Sequence, residues 1–190
     1  MFILYAVLIG LVVGFLMGGR LAGLADLHLR WSWVILAGLF VQVVLFSEPV
    51  SERIGTLGPP IYVASTAVVI VAILANRAIR GMLVVAAGAA CNLAAIVANG
   101  GYMPASADAA AALGGSPHSS TYSNSIFVPD PALAPLTDIF ALPEWVPFAN
   151  VFSIGDVLIG IGIAIVIVAA MRSRSAASTP AAARSLPAAD

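Results

Sequence analysis

FSIGDVLIGIGIAIVIVAAMR, Phe152 to Arg172, carries fifteen consecutive apolar residues, Val157 to Met171, between one aspartate and one arginine. A bilayer core asks for about 20 apolar residues per helix. The run therefore reads as a transmembrane helix from Ser153 to Met171, its ends reaching into the flanks. Ser153 and Asp156 have the spacing of a capping box, in which the serine satisfies an open amide and the aspartate reaches back to the cap residue. The aspartate would also favour the positive end of the helix dipole.

Four more apolar runs stand upstream, at 1–18, 31–46, 61–75 and 81–98. Several fall short of a full span, so their ends extend into the flanks or the bilayer thins locally. Composition agrees: of 190 residues 61% are hydrophobic and 9% charged, with a mean hydropathy of +1.05. Soluble domains carry about a quarter charged residues. The expected fold is an all-α integral membrane protein with five transmembrane helices. A long extracytoplasmic loop, 99–152, carries short interfacial helices, and the tail 173–190, rich in alanine, serine and proline, is expected to be disordered. Met1 to Gly18 has no basic region ahead of it and no A-x-A site after it, so it is not expected to be a removable signal peptide. Only 76–80 separates helices three and four, which forces an antiparallel hairpin. Helix four, full of alanine and glycine, permits close approach and is expected at the centre.

All eight basic residues are arginine. Arg20, Arg30, Arg77, Arg80, Arg172, Arg174 and Arg184 fall on one side of the five helices, and Arg53 alone on the other. By the positive-inside rule the C-terminus is cytoplasmic, with the N-terminus and long loop outside. The expected location is a bacterial cytoplasmic membrane, with the lipid bilayer as first partner. A net charge of −1 and no basic cluster argue against nucleic-acid binding. The single Cys91 leaves no intrachain disulfide and no CxxC motif. His28 and His118 lack neighbouring ligands, so no metal and no cofactor is expected.

The stretch 99–156 has no lysine or arginine. It holds Asp108, Asp130, Asp138, Glu144 and Asp156, and seven of the chain's twelve prolines. Within it Ser106 can cap a short helix, Ala107 to Leu113, that Gly114 ends. Residues 114–120 look flexible. Leu133 to Leu142 suggests a helix lying in the interface, with Trp145 and Phe148 as anchors and Asp138 held near the mouth of helix five. At about 1.5 Å per residue, Gln42 and Asn92 reach similar heights in the outer half. Ser65 and Thr66 lie in the outer half of helix three, and Asn99 two turns above Asn92. Together with Tyr102, Ser153 and Asp156 these residues suggest an outward polar funnel roofed by the loop. Hydrogen bonding between helices is the plainer account of Gln42, Asn92, Ser65 and Thr66. On the inner side the linker gathers Arg20 and Asp26, the latter placed to cap helix two and pair with Arg30.

The run NVFSIGDVLIGIGIAI, 150–165, is similar to the last helix of lipoprotein signal peptidases, where an asparagine-x-alanine-aspartate motif supplies one catalytic aspartate. Asp156 and its apolar context match. Ser153 and Gly155 replace the asparagine and alanine, and the motif bearing the second catalytic aspartate has no counterpart, so Asp138 would have to serve from another context. A fuller resemblance rests on GGRLAGLAD at 18–26, NGGYMP at 99–104, the aspartate and prolines at 138–147, and FSIGDVLIGIG at 152–162. These resemble a bacterial family of small multipass membrane proteins known only as a domain of unknown function, which implies the architecture and leaves activity open.

Three functions fit. The first is an envelope scaffold or partner-binding protein with an outward-facing polar pocket, joined to another membrane protein or to its own copies; nothing in the chain demands catalysis. The second is a hydrolase using Asp138 and Asp156 on a lipid-linked or peptide substrate, since paired carboxylates can share a proton and activate water. The third is a small-molecule transporter subunit, disfavoured by the lack of paired inverted halves and of deep membrane charge.

Overall fold

The computed structural model describes residues 2–112 and 125–173. Their chain order is α1 (Phe2–Leu16), α2 (Ala22–Ala25), α3 (Ser32–Leu45), α4 (Glu48–Ser51), α5 (Gly58–Leu74) and α6 (Met82–Ala98). Then come β1 (Met103–Ala105), α7 (Ala107–Ala111), β2 (Ser125–Phe127), β3 (Phe140–Ala141), β4 (Val151–Phe152) and α8 (Ile154–Met171). The fold is mostly helical. Two helical stretches, Gly55–Leu74 and Ile154–Met171, are long and apolar enough to cross a membrane. The helices α1, α3 and α6 are apolar but shorter.

The main contacts run α3 to α5 to α6 to α8 to α1, which puts α6 in the middle of the row. Small residues set the closest of these approaches. A Cβ on Gly162 would come within 2.6 Å of a Val85 methyl and 2.9 Å of the Gly81 carbonyl oxygen, and one on Gly88 would run into the Gly155 carbonyl. The pairs Gly81–Gly162 and Gly88–Gly155 are thus two turns apart on antiparallel helices. On the other side of α8, a Cβ on Gly10 would sit 3.0 Å from the Ala164 backbone and one on Gly160 3.0 Å from the Ala6 methyl. Backbones packed this closely gain dispersion contact that lipid tails cannot match.

At the Arg30 end, Asn76 clamps α3 to α5. Only 3% exposed, it donates to the Arg30 and Ala72 carbonyls, both at 2.8 Å, and accepts from the Arg30 amide at 2.7 Å. This replaces the expected cap. Asp26 does not cap α3; its amide closes α2 on the Leu24 carbonyl, and Trp31, at φ 57°, precedes α3 with no side-chain cap.

The loop departs from the all-helical expectation. Ala107–Ala111 is helical, with the Ala109 amide on Ser106 Oγ at 3.1 Å. Leu133 to Leu142 is not a helix. Leu133 is left-handed at φ 54°, Ala134–Leu136 makes one 3-10 turn, Thr137 is extended, and Phe140–Ala141 pairs antiparallel with Val151–Phe152. Pro135 starts the turn, and too few residues follow it to propagate a helix before extended pairing takes over. β1 pairs in parallel with β2 and bridges to Asp138 on its other side. The expected end of the loop helix at Gly114, the stretch 114–120 expected to be flexible, His118 and nearly all of the tail 173–190 lie outside the described residues.

Candidate functional site

α6 ends at Asn99-Gly100-Gly101, and the glycines are needed there. Gly100 and Gly101 have φ of 71° and 91°. The Gly101 amide donates to the Ile96 carbonyl at 2.8 Å and that of Gly100 to Val97 at 3.4 Å, the bond pattern of a Schellman motif. The turn throws the chain sideways into β1. Asn99 then holds the far side of the loop, donating to the Ala132 carbonyl and accepting from its amide, both at 2.9 Å. Alongside β1, the Asp138 amide donates to the Pro104 carbonyl at 2.9 Å and the Asp138 carbonyl accepts from Ser106 at 3.0 Å. That ladder fixes Asp138, which is 7% exposed.

The β3–β4 pair returns the chain to α8, whose first turn carries the capping box. The Asp156 amide donates to Ser153 Oγ at 3.0 Å, and the Ser153 amide donates to Asp156 Oδ2 at 3.1 Å. Asn92 of α6 completes a ring: Ser153 Oγ donates to Asn92 Oδ1 at 2.7 Å, and Asn92 Nδ2 donates to Asp156 Oδ1 at 2.9 Å. A carboxylate only accepts, so the amide orientation is fixed by its partners. Ser153 is fully buried in this ring. Gly155 makes it possible, because any Cβ there would overlap the Asn92 side chain.

Asp138 and Asp156 line one cavity of about 340 Å³, together with Asn92, Asn150, Tyr62, Met103 and the first turn of α1. That first turn is pinned over the cavity. The Phe2 amide donates to Asn150 Oδ1 at 2.9 Å, the Phe2 ring stacks on Phe152 at 4.4 Å, and Tyr5 donates to the Pro147 carbonyl. Asn150, Tyr62 and Phe2 were not singled out by sequence reasoning. Asn150 offered a signal, as the polar residue opening the NVFSIGD run.

The expected single funnel divides in two. Gln42 donates to Ser65 at 3.4 Å and Thr66 at 3.2 Å, and both hydroxyls donate onward to the Tyr62 carbonyl. This cluster joins α3 to α5 and does not line the cavity. Asn99 and the half-buried Tyr102 also lie outside the cavity lining. Arg20 and Asp26 are exposed at the opposite end, where the Arg20 amide donates to the Met171 carbonyl at 2.8 Å. Among the described residues no group of three or more His, Cys, Asp or Glu is arranged to hold a metal ion.

Geometry therefore defines an apolar helical protein with an acidic cavity under the pinned first turn of α1. The chain belongs to the family of unknown function DUF5317, whose model matches residues 26–168. That span takes in the NGGYMP and FSIGD segments and begins at the last residue of GGRLAGLAD. The chain matches no curated protein and no solved structure.

Proposed function

We propose that this chain is a five-span membrane protein, its loop outside and its C-terminus cytoplasmic, whose cavity receives a cationic group from an extracytoplasmic ligand or partner. The observation that carries this reading is the cavity itself: two carboxylates line it and no lysine or arginine does. The whole stretch 99–156 supplies no basic residue to neutralise them. Each Asp156 oxygen already accepts one hydrogen bond, and a carboxylate has about four acceptor sites, so capacity remains for a protonated amine or guanidinium. Apolar walls from Phe2, Ile3, Ile96 and Met103 lower the local dielectric and strengthen that pairing. The volume sits at the small end of the roughly 300–1,000 Å³ typical of ligand pockets.

Membrane embedding is supported by the outward apolar side chains of the shorter helices. Leu16 is 82% exposed, Val43 70% and Phe40 67%, a surface that water would not tolerate. Orientation rests on the arginine asymmetry.

The test is thermal unfolding of the purified chain in detergent with n-butylammonium, n-butylguanidinium or neutral n-butanol. Both cations are expected to raise the melting temperature of the parent, and saturation at 100 times Kd is worth about 2.7 kcal/mol. The alcohol should not, and Asp138→Asn should abolish the shift. An equal response to butanol, or a shift that survives in both Asp138→Asn and Asp156→Asn, refutes the reading. The shared cavity also favours a second reading, a carboxylate-dependent hydrolase. It requires turnover of an added lipid-linked peptide that Asp138→Asn removes.

A further inference from the structure

At the opposite end of α8 an open groove of about 890 Å³ runs between α1 and the turn before α6. Its floor is one stripe of α8: Ile161, Ile165, Val168 and Arg172, at helical spacings of four, three and four. Eleven residues rise about 16 Å, close to one leaflet of a hydrocarbon core about 30 Å thick. Ile161 is 49% and Ile165 40% exposed, and Val168 is half-buried. The polar side chains that line it, Asp26, Arg80, Arg172 and Ser173, are all exposed and stand at the end where α8 finishes.

We infer that this groove binds one phosphatidylglycerol molecule of the cytoplasmic leaflet. One acyl chain lies on the Ile161–Ile165–Val168 stripe, the phosphate on Arg80 and Arg172, and the glycerol hydroxyls toward Asp26. Charge decides the lipid. Two guanidinium groups and one carboxylate leave a local charge of +1, which one net negative headgroup neutralises. Guanidinium is the side chain whose forked donors match phosphate oxygens, and the carboxylate accepts from hydroxyl donors that a choline headgroup lacks. Depth decides the orientation, because the apolar stripe runs inward from the charged mouth by about one leaflet. The inference rests on the membrane-embedded reading above, but not on the cavity or its ligand.

Native mass spectrometry of the full delipidated chain, titrated in detergent with phosphatidylglycerol or phosphatidylcholine of equal chain length, tests it. The parent is expected to retain one phosphatidylglycerol at least tenfold more tightly than phosphatidylcholine. The double variant Arg80→Gln, Arg172→Gln should lose that preference, while Arg80→Lys, Arg172→Lys keeps part of it. Ile165→Trp should exclude both lipids, and Asp138→Asn should bind like the parent, which separates this site from the cavity. Equal retention of the two lipids by the parent, or an unchanged preference in the double glutamine variant, overturns the inference. So do dimers dispersed by Ile165→Trp in place of a lipid adduct, which would give the face to a second copy. A lipid adduct that appears only when the chain is cut after Ser173 would give the groove to the tail and overturn it as well.

Discussion

Gly155→Ala adds one methyl group at one of the close approaches of α6 and α8. The new Cβ would overlap Asn92 Oδ1 and stand 2.7 Å from both Asn92 Cγ and the Gly88 carbonyl oxygen. Asn92 must therefore swing away or the helices must part, and either movement breaks the ring. Two bonds are at stake, Ser153 to Asn92 at 2.7 Å and Asn92 to Asp156 at 2.9 Å. Hydrogen bonds between membrane helices are worth about 0.6 to 1.7 kcal/mol each, and overpacking adds about 1 to 3 kcal/mol. The expected loss is therefore about 2 to 6 kcal/mol, read by reversible unfolding in mixed micelles. Asn92→Ala removes one of the two obstacles, so the double variant should lose less than the sum of the single losses, a coupling that a double-mutant cycle isolates. A Gly155→Ala protein within about 0.5 kcal/mol of the parent, the scatter of ordinary surface substitutions, would refute the close-packing argument.

Asn76→Ala removes three hydrogen bonds and strands the backbone of Arg30; a loss of about 2 to 4 kcal/mol is expected from the same unfolding measurement. Topology is checked by a phosphatase or fluorescent reporter fused after Ser173, which should report a cytoplasmic position, while a reporter inserted at Ala112 should report the opposite side.

The helices were legible because apolar runs are long-range statements written locally. The capping box was equally plain, since Ser153 and Asp156 are three residues apart and both ends of each bond lie in one turn. The third member of the ring was not assignable. Asn92 and Gln42 look alike in sequence, each a lone amide at similar depth, yet one meets the first turn of α8 and the other a hydroxyl pair on α5. Which helix faces which is decided by the packing of Gly88 on Gly155, and small residues are scattered through α6 with nothing to mark that one. The loop strands escaped for a different reason. Pairs two or three residues long have no period, and β1 finds β2 across nineteen intervening residues. Asn76 reads as an ordinary turn residue until its partner at Arg30 is placed beside it. Asp138 lay in a proline-rich stretch that suggested a helix, and it is the ladder to Pro104 and Ser106 that brings it into the cavity.

The bond from Phe2 to Asn150 joins residues 148 positions apart, and α1 finds its main packing surface on α8, the last helix in chain order. Among the described helices α1 is made first, and its main packing partner is made last. Its small-residue face, with Ala6, Gly10 and Gly14, is left uncovered by α8 while α3, α5 and α6 form their own neighbour contacts. Arrival of α8 then closes both ends at once, seating α1 on one side and α6 on the other and pulling the first turn over the cavity. The acidic cavity is therefore complete only once α8 is in place, since that helix brings Asp156 as well as the surface on which α1 packs.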